Sequence, residues 1–275
     1  MKKNIRILRA NPAGNITIFV LDKFERSQYQ QIAAQLLAME KLGAEQVAFI
    51  TGEDSMDMCG LEFCGNASRS FALLLAKKRG IKGDAFVDIN VSGCDEILTV
   101  YVNTEKNYTR IKMPLPIGVT PLSDILEAAA PASLSYAQAV DFGGILHVIV
   151  TGLDANRENF EQIKGKVYEK LDPPAFGVMF FDTEKNFLTP VVYVKEVDTT
   201  YFEGSCGSGA TAVAAAFTAD EEDGTFSFGL PQPAGTITST IEKRDGAIHA
   251  IYIEGSVSFS EVMEIPVELT VSQAQ

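Results

Sequence analysis

The spacing of apolar residues along the chain alternates between that of a β-strand and that of an α-helix. This order predicts strands and helices in turn. Short runs rich in β-branched residues, such as "NITIFVLD" and "EQVAFIT", are typical of strands. Between them, "ERSQYQQIAAQLLAMEKLG" places Ile32, Leu36 and Met39 at helical spacing before the stop signal Gly43. A second helix is predicted in "CGNASRSFALLLAKKRG", and three alternating strands follow it. The first half therefore predicts one mixed α/β unit.

The second half repeats this order of elements after the proline-marked segment "MPLPIGVTPL". It contains two further predicted helices, "NRENFEQIKGKVYEKL" and "CGSGATAVAAAFTADEEDG", with strands before, between and after them. Domains commonly contain about 100 to 200 residues, so a chain of 275 residues accommodates two. We predict an N-terminal domain at 1–120, with the C-terminal strand 264–275 as a candidate addition to it, and a C-terminal domain at 121–263.

Composition and charge exclude several classes of function. The net charge of −13 repels nucleic-acid phosphates and anionic lipid, so neither a nucleic-acid nor a membrane partner is expected. No run approaches the ~20 apolar residues of a membrane span, and the N-terminus lacks an apolar signal core, which predicts a cytoplasmic protein. The four cysteines are too few and too scattered for a disulfide framework, so we expect reduced thiols.

Two of these cysteines stand where a predicted alanine-rich helix begins. Cys64 lies in "EFCGNASR" and Cys206 in "GSCGSGATA". The first turn of a helix has unpaired N–H groups and a partial positive charge, which bind anions and favour thiolate over thiol. Gly65 and Gly207 have no side chain that would shield these N–H groups. A single cysteine of this kind is more simply a small buried residue, but its recurrence in equivalent halves favours a functional pair.

Two thiols facing one substrate would suit the inversion of a carbon next to a carboxylate. One thiolate would remove the α-proton from one face while the opposite thiol delivers a proton to the other. The helix N–H groups would hold the carboxylate and stabilise the charge of the enediolate. The sequence therefore predicts a two-base racemase or epimerase that needs no metal and no pyridoxal cofactor. A Walker-type phosphate loop and a dinucleotide fingerprint are excluded, because neither glycine run has the required pattern.

These motifs resemble those of the diaminopimelate epimerases. "CGNASR" is similar to their CGNGAR and "CGSGATA" to their CGTGA, and the segments "NPAGNITIFV", "GAEQVAFI" and "QPAGTITS" resemble further motifs of that family. The resemblance implies an α/β (α+β) fold of two pseudo-symmetric domains, each a mixed sheet wrapped around a central helix, with the active site in the interdomain cleft. It also implies a homodimer and an acid–base pair formed by Cys64 and Cys206.

Further positions follow from the same resemblance. Backbone contacts to the substrate carboxylate are expected near Gly65, Asn66, Gly207 and Ser208, and the pocket is expected to include Asn15 and Gln46.

The departures from the epimerase pattern concern the far end of the substrate. Where that family has two asparagines and an arginine, this chain has Ile145, Gly177 and a residue near Val197, and no arginine lies between Arg157 and Arg244. A distal carboxylate would be buried without a partner, which costs several kcal/mol. Diaminopimelate is therefore disfavoured as a substrate.

A second branch is more similar: the histidine racemases of staphylopine-type metallophore biosynthesis. The similarity lies in "NPAGNITI", "EFCGNA", "VSGC" and "EGSCGSG". It implies that the substrate is histidine, whose imidazole ring is neutral or cationic near pH 7 and suits a site with carboxylates. The candidate acceptors for a ring N–H are Glu45, Asp57 and Glu203, of which Glu203 is preferred.

Several alternatives remain at this stage. Diaminopimelate epimerase, a racemase of another amino acid and a non-catalytic amino-acid-binding module each fit part of the pattern. A phenazine-biosynthesis-type isomerase shares the doubled fold but lacks the cysteine pair. His147 and His249 lie in predicted strands and are interpreted as packing or surface residues, and no Cys/His cluster has metal-ligand spacing.

Overall fold

The computed structural model describes residues 2–122, 134–195 and 198–269. The chain divides into two compact units, one formed by Met1–Ile111 with Gly255–Gln275 and the other by Lys112–Glu254. Val197 and residues 270–275 of the predicted C-terminal strand lie outside the described residues.

Strands dominate both units. They are β1 (Lys2–Asn11), β2 (Thr17–Val20), β3 (Gln46–Ile50), β4 (Ser55–Met58), β5 (Asp84–Val91), β6 (Leu98–Asn103), β7 (Tyr108–Met113), β8 (Gly118–Pro121), β9 (Tyr136–Asp141), β10 (Leu146–Thr151), β11 (Ala175–Asp182), β12 (Phe187–Val194), β13 (Thr199–Phe202), β14 (Gly224–Gln232), β15 (Gly235–Arg244), β16 (Ala247–Ser256), β17 (Ser258–Phe259) and β18 (Met263–Glu268). The α-helices are α1 (Tyr29–Leu37), α2 (Gly65–Lys78), α3 (Arg157–Tyr168) and α4 (Gly207–Phe217), and two 3-10 helices span Arg26–Gln28 and Glu40–Leu42.

The first unit is a mixed sheet that packs around α2. Its strands run in the order β7-β6-β5-β4-β3-β2-β1, and both β17 and β18 pair with β1. The pairs β2–β3 and β4–β5 are parallel, whereas the other pairs in this order are antiparallel. Every residue of α2 from Gly65 to Ala76 is buried, because the helix contacts β1, β5 and β6. α1 packs against β3 and β18 instead.

The second unit has two sheets with α4 against both. One sheet has the order β13-β12-β11-β10-β9-β8, and the other is the antiparallel set β14–β15–β16. Phe160, Ile163 and Val167 of α3 join a core cluster with alternate residues of β10 and β11. α4 contacts β9, β10 and β11 as well as β14 and β15, so it is the central helix of this unit.

The predicted fold class is confirmed, since each unit contains a mixed sheet and a central helix that begins at a Cys-Gly motif. The sequence analysis did not predict some of the strands, above all β1. The buried Ile5 and Ile7 of β1 lie among polar and charged residues, which obscure the strand pattern. The residues described contain no helix with both the length and the apolar character required to cross a membrane.

Candidate active site

Cys64 and Cys206 occupy the same local position, the N-cap of the central helix of each unit. Cys64 has φ −130° and ψ 110°, and its sulfur accepts from the backbone N–H of Ala67 at 3.4 Å. Cys206 has φ −128° and ψ 116°, and its sulfur accepts from the N–H of Gly209 at 3.3 Å. Serine, threonine, aspartate and asparagine are the preferred N-caps, so thiols in this place on both helices indicate a chemical rather than a capping requirement.

Hydrogen-bond donors surround Cys64. The backbone N–H groups of Ala67 and Asn66 and the Gln46 side chain donate towards its sulfur. Burial nevertheless raises the pKa of the Cys64 thiol to about 11, the nearby charge of Glu62 adds to the rise, and the donors offset only part of it.

A polar network connects Cys64 to other predicted site residues. The Gln46 side chain donates to Asn15 Oδ1, and Asn15 Nδ2 donates to Glu45 Oε2 at 2.7 Å. Asn66, in the first turn of α2, reaches the same Asn15 Oδ1 at 3.4 Å. Asn15, Glu45, Gln46 and Asn66 therefore form one hydrogen-bonded network, which reaches the first cysteine through Gln46 and Asn66.

The loop that precedes Cys64 is held by the turn after β5. Ser92 Oγ accepts from the backbone N–H of Met58 at 2.8 Å and donates to the carbonyl of Glu62 at 3.0 Å. Next to it, Gly93 has φ +71°, and a Cβ at this position would lie 2.2 Å from the backbone nitrogen of Phe63. Only glycine permits this close approach of two backbone segments.

Asp57, another predicted acceptor for the substrate ring, has partners within its own unit. Its carboxylate accepts from Arg26 Nε at 2.8 Å and Nη2 at 3.2 Å, and Tyr29 Oη lies 3.4 Å away. This ion pair engages both carboxylate oxygens of Asp57.

Cys206 has a different environment from Cys64. Its backbone N–H donates to Gln232 Oε1 at 2.7 Å, and Ser208 Oγ lies 3.4 Å from its sulfur. Burial raises the pKa of the Cys206 thiol well above its ordinary value, and the charge of Glu203 raises it further. The Glu203 carboxylate also accepts a hydrogen bond from the thiol, which stabilises the protonated form. Glu203, Gly207 and Ser208 thus lie beside the second cysteine.

The raised pKa values correct one prediction from the sequence. A helix N-terminus was expected to favour the thiolate at both cysteines. Burial has the largest effect on the pKa at both sulfurs and raises it. A buried thiolate loses more hydration free energy than hydrogen bonds from a few N–H groups replace. A positive charge brought close to either sulfur would oppose this rise and favour ionisation.

His147 is a residue that the sequence interpretation missed. It is fully buried on β10, where all six positions are buried, and its Nε2 lies 2.9 Å from Ser208 Oγ. Its Nδ1 lies against Gly177, where an added Cβ would come within 2.4 Å of that nitrogen. The signal available in the sequence was a polar residue inside the otherwise apolar run "ILHVIV". His147 therefore supports Ser208, the neighbour of Cys206, rather than only filling the core.

The burial of His147 predicts a measurable sensitivity to acid. Burial lowers the pKa of His147 to about 3, so the folded protein keeps it neutral while the unfolded chain takes up a proton below about pH 6.5. The resulting stability is present above pH 6.5 and is lost as the pH falls towards 3. We expect His147→Gln to lower the slope of unfolding free energy against pH, measured by urea titration between pH 6 and 4, by about 1.4 kcal/mol per pH unit.

The exposed His249 provides the matched control for this experiment. His249→Gln should leave the slope at its wild-type value. An unchanged slope in His147→Gln would show that His147 takes up protons equally in the folded and unfolded chain.

No cluster of three or more Cys, His, Asp or Glu side chains in the described part of the chain has an arrangement that could hold a metal ion. The arrangement that does exist, a thiol at a helix N-terminus with amide or carboxylate neighbours, supports proton transfer at carbon.

Comparisons with known proteins agree with this chemistry. A family model described as the histidine racemase CntK N-terminal domain matches residues 4–262. A histidine racemase of Fusobacterium nucleatum is 38% identical over 217 residues, which cover 75% of this chain and 78% of that protein. A histidine racemase of Staphylococcus aureus is 28% identical over 264 residues, covering 92% and 94% respectively.

A solved structure shows the same fold at low sequence identity. The phenazine biosynthesis protein of the PhzF family from Bacillus anthracis has a TM-score of 0.68 and 17% identity, covering 96% of this chain and 99% of that chain. At this identity the likeness concerns the fold alone.

Proposed function

Because the chain belongs to the histidine racemase family, we propose that it interconverts L-histidine and D-histidine with Cys64 and Cys206 as its two acid–base groups. The observation that carries the proposal is the equivalence of the two cysteines, each the N-cap of a buried central helix with its sulfur towards the first-turn N–H groups. A racemase must remove and deliver protons on both faces of one carbon, and two equivalent thiols suit this requirement.

The reaction proceeds by proton transfer alone. One sulfur, as thiolate, takes the α-proton, and the electron pair of the broken C–H bond moves into the carboxylate to form an enediolate. The other sulfur, as thiol, gives its proton to the opposite face of the α-carbon, so the two thiols exchange protonation states in each turnover. Backbone N–H groups near Gly65, Asn66, Gly207 and Ser208 would stabilise the enediolate charge.

This mechanism requires the two sulfurs to lie on opposite faces of one substrate. The homodimer implied by the family resemblance and the cytoplasmic location predicted from the sequence belong to the same proposal. The substrate itself supplies a positive charge, since its α-ammonium group beside a buried sulfur favours the thiolate and offsets the cost of burial.

Carboxylates provide the preference for histidine. Glu203 lies beside Cys206, and Glu45 is connected to Cys64 through Asn15 and Gln46, so each half has a candidate acceptor for an imidazole N–H. The positions that hold a distal carboxylate in diaminopimelate epimerases carry Ile145 and Gly177 here.

The purified full chain should exchange the α-proton of L-histidine and of D-histidine in deuterated water, without added metal or pyridoxal phosphate. Proton NMR follows the loss of the α-proton signal, and chiral chromatography follows the appearance of the opposite enantiomer. Epimerisation of diaminopimelate in place of histidine would overturn the substrate assignment. Failure to exchange the α-proton of any amino acid would overturn the racemase assignment.

Glu203→Gln tests the preferred acceptor. Loss of a charge-assisted hydrogen bond costs about 1.5 to 3 kcal/mol, so kcat/KM for histidine should fall roughly tenfold to a hundredfold, with a smaller loss for alanine exchange. Glu222→Gln, which changes an exposed carboxylate after α4, is the matched control and should behave as wild type. An equal loss for histidine and alanine would mean that Glu203 acts through Cys206 and does not recognise the ring.

A further inference from the structure

A chain of hydrogen bonds connects a buried histidine to the second cysteine within one unit. His147 Nε2 lies 2.9 Å from Ser208 Oγ, and Ser208 Oγ lies 3.4 Å from Cys206 Sγ. His147 is fully buried, and its Nδ1 has no hydrogen-bond partner among the described residues. Either atom of each pair can be the donor, so the role of the chain depends on the direction in which its protons point.

The first proton to assign is the one on the imidazole ring of His147. Burial lowers the pKa of His147 to about 3, so the ring is neutral near pH 7 and carries one N–H and one bare nitrogen. A proton on Nδ1 would leave a buried N–H without an acceptor, and orphaned buried N–H groups are rarer than orphaned acceptors. The unpaired Nδ1 is therefore better suited to be the bare nitrogen.

Gly177, opposite His147 in the register of β10 and β11, supports the same assignment. A Cβ at Gly177 would lie 2.4 Å from Nδ1, so the Cα–H bond that this Cβ would replace points towards the nitrogen. A bare nitrogen can accept a weak C–H hydrogen bond there, whereas an N–H would bring two hydrogens into contact. Both observations favour the tautomer with its proton on Nε2.

The second proton is that of the Ser208 hydroxyl. When His147 Nε2–H donates to Ser208 Oγ, the hydroxyl proton is left for another acceptor, and Cys206 Sγ lies within reach. The same sulfur accepts from the N–H of Gly209 at 3.3 Å. Donors to a sulfur favour its thiolate form, which at Cys206 opposes the effects of burial and of the Glu203 charge.

We propose that His147 is a positioning residue for the second cysteine: its Nε2–H fixes the Ser208 hydroxyl so that the hydroxyl proton points at Cys206 Sγ and stabilises the thiolate. The chain directs hydrogen bonds and transfers no proton, so His147 and Ser208 keep theirs while Cys206 takes up and releases the α-proton. The effect on turnover rests on the proposed racemase function, whereas the tautomer can be measured without substrate.

NMR of the full chain with nitrogen-15-labelled histidine tests the tautomer. The chain has two histidines, and His249→Gln removes the exposed one, so the remaining ring signals belong to His147. We expect a protonated Nε2 and a bare Nδ1, unchanged between about pH 5 and pH 8. A protonated Nδ1, or a ring that averages the two tautomers, would overturn the proposal.

Alkylation of Cys206 tests the effect on its sulfur. The full chain is treated with iodoacetamide at about pH 8, and peptide mass spectrometry gives the rate at Cys206, which follows the thiolate fraction. Ser208→Ala should slow this reaction about tenfold, equivalent to about one pKa unit, whereas Ser208→Thr keeps the hydroxyl and should stay within about threefold of wild type. An unchanged rate in Ser208→Ala, or equal slowing in both variants, would overturn the proposal.

Ser205→Ala is the matched control for these variants. Ser205 precedes Cys206 directly and is fully buried, but its hydroxyl has no hydrogen-bond partner among the described residues. The alkylation rate of Cys206 should therefore remain at the wild-type value.

A double-mutant cycle tests whether His147 acts through Ser208. His147→Leu should slow the alkylation of Cys206 about fivefold, because the hydroxyl loses the donor that orients it. In the Ser208→Ala background the same change should add less than about twofold, since no hydroxyl is left to orient. Slowing that multiplies fully in the double variant would overturn the proposed route.

Circular dichroism establishes that each variant is folded, and if His147→Leu is not, the tautomer and the Ser208 variants still decide the question. Histidine racemisation is measured in the same samples. An active wild-type enzyme with its ring proton on Nδ1 would overturn this inference and leave the proposed function standing. The expected tautomer and the expected Ser208→Ala response in a protein that racemises no amino acid would do the reverse.

Discussion

Replacement of either Cys64 or Cys206 by serine is expected to lower histidine racemisation by about a hundredfold to ten-thousandfold, the range of a lost general acid or base. A serine hydroxyl can still cap the helix, since serine is a preferred N-cap, so the fold should survive the change. The hydroxyl ionises far less readily than a thiol and cannot act as the base. Chiral chromatography of product formed from each enantiomer measures the loss.

The two variants should differ in what they retain. Each keeps one thiol, and that thiol can still exchange the α-proton of the enantiomer that presents its proton to it, so the variants should be complementary in deuterated water. Cys59→Ser and Cys94→Ser are matched controls, because both cysteines are free and partly buried but neither caps a helix. Full racemisation by either Cys64→Ser or Cys206→Ser would contradict the two-base mechanism.

Gly93→Ala is expected to cause the second-largest effect, a loss of about 4 kcal/mol in the free energy of unfolding. Its Cβ would come within 2.2 Å of Phe63 N and 2.6 Å of the carbonyl carbon of Glu62, and backbone atoms cannot move aside as a flexible side chain can. The segment that must shift leads directly into Cys64, so activity should fall even in molecules that remain folded. Urea unfolding and racemisation at low temperature measure the two losses separately.

Gly83→Ala is the matched control for this change. Gly83 has φ +70°, almost the same backbone conformation as Gly93, but an added Cβ would have nothing within 4 Å. It should therefore lose only the roughly 1 to 2 kcal/mol of a left-handed alanine and keep its activity. Equal destabilisation of the two variants would attribute the whole effect to the backbone conformation and none to the contact with Phe63.

Sequence patterns predicted the features that depend on local chemistry. The Cys-Gly motifs marked the starts of both central helices, and the recurrence of one order of elements marked the fold class, because periodicity and helix termini are local properties. The strand β1 was missed for the same reason. Its partners β2 and β18 are what bury Ile5 and Ile7, and β18 lies at the far end of the chain.

Features that depend on tertiary burial were not predictable in this way. The ionisation of Cys64 was expected to follow the helix N-terminus, but the sign of the shift is set by how completely the surrounding strands exclude water. His147 seemed an ordinary strand residue until the register of β10 placed it opposite Gly177 and beside Ser208. The ion pair between Asp57 and Arg26 is a further tertiary contact that no sequence pattern indicated.

The return of the chain to β1 has a consequence for biosynthesis. The core of the first unit includes Ile265, Val267 and Leu269, and β18 covers an edge of β1 that would otherwise be an unpaired strand. The second unit, Lys112–Glu254, is continuous in sequence. The ribosome makes the chain from its N-terminus, so the unit with Cys206 can fold before β18 of the unit with Cys64 has been synthesised. Cys64 is therefore made before Cys206, but its unit is the later of the two to complete its fold.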